Sequence, residues 1–274
     1  MIKAVVYGAA GRMGRRIASL MTESDDIELV GAIEAWASPA IGKNVGELIG
    51  SERLGITVTS NLDEVIQHTD VVVDFTAPEA SLAAARVYAS AGKAAVVGTT
   101  GFSDRQLAAF REIAAGVPCV FSPNFSVGVN LLFKLVEETA AVLGEDFDVE
   151  IIESHHRFKK DAPSGTAKRL AQIAASALGY NLEDVAIHGR KGLTGERKRN
   201  QIGIHAVRAG DIVGEHTVLF GGIGEKVELL HRASSRDAFA QGALRAVRFV
   251  ARAKPGLYDM MDVLGLKENR LTAP

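Results

Sequence analysis

Over the first 122 positions, apolar residues fall in short β-rich runs separated by stretches of helical period, the alternation that builds a parallel sheet covered by helices. Runs at Ile2–Tyr7, Ile27–Ile33, Val71–Phe75, Ala94–Val97 and Pro118–Ser122 predict five strands. Between them, Pro78 suits the first turn of a helix ending near Gly92, and Ser103 with Gln106 makes a capping-box pattern for a helix ending at Gly116. From Ser126 to Leu143 the residues Val129, Leu132, Val136, Ala140 and Leu143 recur at intervals of three and four, predicting one amphipathic helix closed by Gly144 and linking two domains. Longer β-runs follow at Phe147–Ser154, Ile202–Arg208, Val213–Phe220 and Lys226–Ser234, with turn signals at Gly210-Asp211 and Gly221-Gly222. They surround a helix over Thr166–Leu178, capped by Ser164 and stopped by Gly179, so the second texture reads as α+β. Arg236–Ala251 returns to helical period and is expected to dock back on the first domain. The expected domains are therefore 1–125 plus 236–274, and 126–235.

Composition changes this picture little. At 274 residues, 47% hydrophobic and 23% charged, the chain lies in the ordinary globular range, and a formal charge of −2 gives no overall pull toward nucleic acid or acidic membrane. The basic run Arg190–Arg199 has no aromatic residue to stack on a base and reads as an exposed loop, so no nucleic-acid partner is expected. A single cysteine, Cys119, sits in the apolar run Val117–Phe121 and reads as buried rather than reactive. With no apolar run near 18 residues and no leader pattern at Met1–Tyr7, neither membrane nor export is expected, and the location is read as cytoplasmic.

Candidate chemistry begins directly after the first strand, where GAAGRMG places Gly8, Gly11 and Gly14 three residues apart at a strand-to-helix turn. Glycines there let the backbone approach a pyrophosphate, and helix-start amides point at the anion. Glu34 ends the second strand 20 residues past Gly14, where a carboxylate accepts the ribose hydroxyls of a dinucleotide. Together these features predict a Rossmann-type sheet, and they favour NADH over NADPH, because Glu34 repels a 2′-phosphate and Ala35 and Trp36 offer it no cation. Gly98-Thr99-Thr100-Gly101 and Ser122-Pro123-Asn124-Phe125 follow the fourth and fifth strands and are placed to meet the nicotinamide half.

The densest polar segment is ESHHRFKKDAPSGTA, Glu153–Ala167, in which His155, His156, Arg157, Lys159 and Lys160 precede a helix opening at Ser164-Gly165-Thr166. Cations beside a helix N-terminus suit a small substrate with two carboxylates, and histidine with lysine can donate a proton there. A metal is not expected, since adjacent histidines on a strand point to opposite faces and no third ligand follows at suitable spacing.

These residues resemble the 4-hydroxy-tetrahydrodipicolinate reductase family, long called dihydrodipicolinate reductase, of the diaminopimelate route to lysine. The likeness runs through VVYGAAGRMG, VVVDFTAPE, VVGTTG, SPNFSVGVN, ESHHRFKKDAPSGTA, VRAGDIVGEHTV and HRASSRDAFAQGALRA. The resemblance implies proton transfer by His155 and Lys159, and substrate-carboxylate contacts at His156, Gly165 and Thr166. It implies cofactor contacts at Gly8, Ala9, Ala10, Gly11, Arg12 and Met13, at Glu34, at Gly98, Thr99 and Thr100, and at Ser122, Pro123, Asn124 and Phe125. It also implies domain closure, a homotetramer and a substrate-binding, oligomerising second domain. Some members carry arginine where this chain has Ala35 and Ala77, which again disfavours NADPH without excluding it. The rivals are another two-domain dehydrogenase acting on a semialdehyde or sugar, the former needing a nucleophilic cysteine, and a redox-sensing dinucleotide-binding module.

Overall fold

The computed structural model describes residues 1–267. In chain order its elements are β1 Ile2–Tyr7, α1 Arg12–Thr22, β2 Ile27–Ile33, α2 Val45–Ile49, β3 Val58–Thr59, β4 Val71–Asp74, α3 Pro78–Ser90, β5 Ala94–Val97, α4 Asp104–Ala114 and β6 Pro118–Phe121. There follow α5 Val127–Leu143, β7 Asp148–His155, α6 Gly165–Ala177, α7 Leu182–Val185, β8 Ala186–Ile187, β9 Ile202–Arg208, β10 Gly214–Gly221 and β11 Lys226–Ala233. The last elements among the described residues are α8 Asp237–Val250, β12 Gly256–Tyr258 and α9 Met260–Leu264. It divides into two compact units, one formed by residues 1–127 with the segment from Asp237 onward, the other by Gly128–Arg236. The last positions of the expected range 236–274, residues 268–274, lie outside the described residues.

The first unit is α/β, with a seven-stranded sheet in the order β12-β6-β5-β4-β1-β2-β3. All its pairings are parallel. Its central strands are mostly apolar because both faces are covered, as in Val71–Val73 of β4 and Ala94–Val97 of β5. Ile17 and Met21 of α1 pack with Leu244 and Val247 of α8 on one core, while Tyr88 of α3 and Phe110 of α4 fill the other. The strand order reverses at the neighbours β1 and β4, so the loops leaving them diverge and open a crevice at their carboxyl ends.

The second unit is a mixed five-stranded sheet, β11-β10-β7-β9-β8, in which β10 runs antiparallel to β7 and β11 while β9 is parallel to β7 and β8. Helices α5 and α6 cover one face through Leu132, Val136, Leu170 and Ala174. Alternation is strict on β10, where Gly214, His216, Val218 and Phe220 point inward. On the other face, exposed Ile152, Val207 and Leu230 share the surface with charged residues such as Glu215 and Arg232.

Several boundaries differ from the sequence reading. The strand expected to end at Phe75 stops at Asp74, because Phe75 turns across Gly98, where a β-carbon would meet its ring at 2.2 Å. The run expected to end at Ser122 stops at Phe121, since the Ser122 hydroxyl turns to the Asn124 carbonyl. β7 extends past the expected Ser154 to His155, which pairs with Arg208 on β9. The short elements α2, β3, α7, β8, β12 and α9 were not anticipated, although Asn44, Asn181 and Asp259 cap the three helices; β12 holds three residues defined by parallel pairing with β6, far away in sequence.

Candidate active site

Each unit carries one cluster of the candidate residues. In the first, the β1–α1 loop folds back on β2: the amides of Gly8 and Ala9 donate to the Ile33 carbonyl, and Gly11 donates to Gly8. The Ala10 amide donates to Glu34 Oε2 at 2.8 Å, and the Ala35 amide to Glu34 Oε1 at 3.0 Å, so the carboxylate is fixed at the mouth of the loop. Gly11 is the N-cap of α1, which starts at Arg12 and Met13. Gly8 has φ +88°, and a β-carbon on Gly14 would lie 2.0 Å from the Gly8 carbonyl, so both positions require glycine. The loop borders a cavity of about 460 Å³ lined by Tyr7, Gly8, Glu34, Ser38, Thr76 and Ala77 among others. A glycine-tightened turn, a helix start and an anchored carboxylate fit the pyrophosphate and ribose of a dinucleotide.

The loops after β4, β5 and β6 are cross-linked beside this cavity. Asp74, completely buried, accepts at Oδ1 from the Thr76 amide at 3.1 Å and the Thr76 hydroxyl at 2.6 Å. The Ser81 hydroxyl donates to Thr99 Oγ1 at 2.7 Å, and Thr99 in turn contacts Asp74 at 3.4 Å. Burial raises the Asp74 pKa against these hydrogen bonds, and its Oδ2 has no partner among the described residues. The Thr99 hydroxyl is thus committed to the protein, and Gly98 and Thr100 flank it. Phe75 lies on Gly98 and packs against Phe125, ring centroids 5.2 Å apart, which brings the Gly98–Thr100 and Ser122–Phe125 loops together. The Phe125 side chain is buried, Asn124 accepts from the Ser126 amide, and Pro123 is exposed. Sequence reasoning missed Asp74 and Ser81 because their meaning lies in contacts across two strand ends.

In the second unit the centre is Glu153, which sequence reading passed over. It occupies an inward position of β7 after Val149 and Ile151, with its side chain wholly buried. Arg208 binds it bidentately, both guanidinium contacts being 2.8 Å; His155 Nδ1 lies 2.6 Å from Oε2, and the Ser164 amide donates to Oε1 at 3.0 Å. Burial opposes ionisation, but these donors win, and the carboxyl is held below its usual range. Burial lowers the His155 pKa, assisted by Lys159 and Arg208, while Glu153 works in the other direction. Beyond His155 lies His216 on β10, ring centroids 5.3 Å apart, with its Nε2 3.1 Å from Ser164 Oγ. Burial pushes His216 down to about 4.

Ser164 is also the N-cap of α6, accepting from the Ala167 amide, so Gly165 and Thr166 form the first turn. The Lys159 ammonium pairs with Asp161 at 2.9 Å, and the His156 Nδ1 is buried with no hydrogen-bond partner among the described residues. Away from this cluster, Arg190 and Arg197 are tied to Glu150, and Arg197 also binds Asp148, which pins the basic loop to β7. Cys119 is buried, its thiol pushed up to about 12 by burial, unlike an enzymic nucleophile. Among the described residues no group of three or more histidine, cysteine or carboxylate side chains is placed to hold a metal, and no helix is long and apolar enough to cross a membrane.

Comparison with known proteins places both clusters in context. The family description "Dihydrodipicolinate reductase, N-terminus" matches residues 2–125, and "Dihydrodipicolinate reductase, C-terminus" matches residues 128–264. The chain is 55% identical over 267 residues to the 4-hydroxy-tetrahydrodipicolinate reductase of Syntrophobacter fumaroxidans, and 53% identical to that of Syntrophus aciditrophicus; each match covers 97% of this chain and 100% of the relative. A dipicolinate-bound dihydrodipicolinate reductase from Paenisporosarcina sp. TG-14 superposes with a TM-score of 0.77 at 28% identity, covering 96% of this chain and 98% of that one.

The buried histidine sets an acid limit on the second unit. His216 has a folded pKa near 4, below its unfolded value, so its contribution to stability is complete above about pH 6.5. That contribution is lost as pH falls toward 4, on the order of 3 kcal/mol in all, and the lowered His155 and His231 act in the same direction. Urea midpoints should therefore drop between pH 7 and pH 4.5, and His216→Phe should flatten that drop whatever its effect at pH 7. A wild-type midpoint constant over this interval would contradict the assignment.

Proposed function

The chain belongs to the dihydrodipicolinate reductase family, and on that basis we propose that it reduces 4-hydroxy-tetrahydrodipicolinate to tetrahydrodipicolinate, with loss of water, in the diaminopimelate route to lysine. The reaction consumes one hydride and one proton, and a reduced nicotinamide dinucleotide, when bound, supplies the hydride. The first unit holds that dinucleotide at the Gly8–Met13 turn and Glu34, with the Gly98–Thr100 and Ser122–Phe125 loops at its nicotinamide half. In the second unit, His155 and Lys159 manage the proton, while His156, Gly165 and Thr166 hold a substrate carboxylate. The observation that carries this reading is that the His155 ring and the start of α6 meet on one carboxylate, setting a titratable group beside a helix N-terminus and a lysine.

If His155 and Lys159 serve the proton, neither touches the dinucleotide. His155→Gln and Lys159→Ala should each lower turnover by about 10²- to 10⁴-fold, with NADH affinity in fluorescence titration unchanged. The double variant should cost little more than the worse single one. Large loss of NADH affinity with normal turnover at saturation would instead make this segment a cofactor site.

NADH is the preferred donor in this reading and NADPH the poorer one. The Glu34 carboxylate is held in place by the Ala10 and Ala35 amides, and Ala35 and Ala77 provide no cation for a 2′-phosphate. Specificity constants should favour NADH. Glu34→Gln combined with Ala35→Arg, which keeps the amide acceptor but exchanges repulsion for attraction, should move the ratio toward NADPH by about tenfold or more. A wild-type preference for NADPH would refute this role of Glu34.

The second unit is also the oligomerising one, and the assembly is read as a homotetramer. Its sheet leaves Leu230, Thr217 and Ile152 side by side across β11, β10 and β7 on the face opposite the helices, two exposed aliphatic side chains flanking a threonine and suited to another copy. Leu230→Lys should shift the species seen in sedimentation equilibrium from tetramer toward smaller forms. A wild-type protein that sediments as a monomer at micromolar concentration would overturn the assignment.

A further inference from the structure

We propose that Glu153, clamped by Arg208, is a positioning residue for the reaction: it holds His155 in the tautomer that leaves Nε2 as the working nitrogen, and it locks the start of α6 to that ring. The inference rests on the proton role given above to His155 and adds the group that sets its state.

The placement of Glu153 is costly. It follows Val149 and Ile151 on the face of β7 that packs against α6, where the alternation calls for an apolar side chain. An ionised carboxylate in such a position is strongly unfavourable unless its lone pairs are met, and a well-packed apolar residue would often serve stability as well. Here both oxygens are met twice. Oε1 accepts from the Ser164 amide and Arg208, and Oε2 from His155 and Arg208. Two of these four donors come from the segment that the proposed function uses.

The donor set also fixes the imidazole. An ionised carboxylate only accepts, so the 2.6 Å contact requires a proton on His155 Nδ1, and neutral His155 then carries its lone pair on Nε2. The groups facing the ring are Glu153 on β7, Lys159 in the following loop, Arg208 on β9 and His216 on β10. Glu153 is the one acidic group among these four, and His216, pushed down to about 4 by burial, adds no positive charge near neutrality. Nε2 lies against the backbone of Gly214, where a β-carbon would sit 3.1 Å away. A side chain at that position would crowd the nitrogen. The same carboxylate reaches the N-cap of α6, and Arg208 also binds the Asp161 carbonyl, so the turn from Asp161 to Ser164 is tied to the ring. The Nε2 nitrogen, which takes up a proton before passing it on, and the carboxylate cradle are thereby registered to each other within one unit.

Histidine-selective ¹⁵N NMR of the full-length protein, with the His155 signals assigned through His155→Gln, tests this without turnover. Wild-type His155 should show the Nδ1–H tautomer and a midpoint below the usual histidine range. In Glu153→Gln the tautomer should mix and the midpoint move to lower pH, with kcat falling by about 10²-fold, as when a general acid–base group is disabled. KM for the dicarboxylate substrate should rise as well, because the single oxygen left on Gln cannot accept from both His155 and the Ser164 amide. An Nε2–H tautomer in the wild type would overturn the proposal even if the variant did not fold, and so would unchanged His155 signals in a folded Glu153→Gln. If the NMR changes occur but His155→Gln retains full turnover, the positioning chemistry stands and the proton role of His155 is what fails.

Discussion

Taking a carboxylate out of water onto the apolar face of a sheet is among the more expensive steps a fold can contain, and the second unit is arranged around one such step. Glu153 is tolerable because Arg208, His155 and Ser164 converge on it from β9, from the end of its own strand and from the start of α6. Removing Arg208 would leave an uncompensated buried charge, and removing either other donor would leave one of its lone pairs unmet. That constraint couples the extension of β7 to His155, its pairing with Arg208 and the cap of α6 into one arrangement.

The first unit meets a different constraint with opposite means. A parallel sheet covered on both faces can expose polar backbone only at its ends, so binding chemistry collects in the loops at the carboxyl ends of the strands. There the interior polar group is Asp74, held by hydroxyls and an amide with no cation beside it, and burial raises its pKa where Arg208 lowers that of Glu153. The two carboxyls illustrate one rule: the partner decides which way the pKa of a buried acid moves. Asp74 braces the loops after β4 and β5 through hydroxyls and an amide, and Glu153 organises its surroundings through a guanidinium, an imidazole and an amide.

Much of this was legible in the chain. Glycine spacing at Gly8, Gly11 and Gly14 and the acid at Glu34 anticipated the loop and its carboxylate, which the structure joins through the Ala10 amide. Ser103 with Gln106, and Ser164, announced their helices because caps act within one turn. The periods of α5 and β10 were readable for the same reason: which side of an element is buried is written in residues two, three or four apart.

What the sequence determined by itself was therefore local: the α/β alternation of the first half, the α+β character of the second, the turn glycines and the polar segment from Glu153 to Ala167. The tertiary structure decided which of those polar residues meet. Glu153 and Arg208 are 55 residues apart, and Ser164 and His216 are 52 apart, on strands whose register depends on the whole sheet. The same holds for β12, which is a strand only because β6 offers an edge, and for the row Leu230, Thr217, Ile152, formed by antiparallel register. Caps and periodicity follow from covalent neighbourhood, whereas the charge state of a buried group depends on partners that only the folded chain brings within hydrogen-bonding distance.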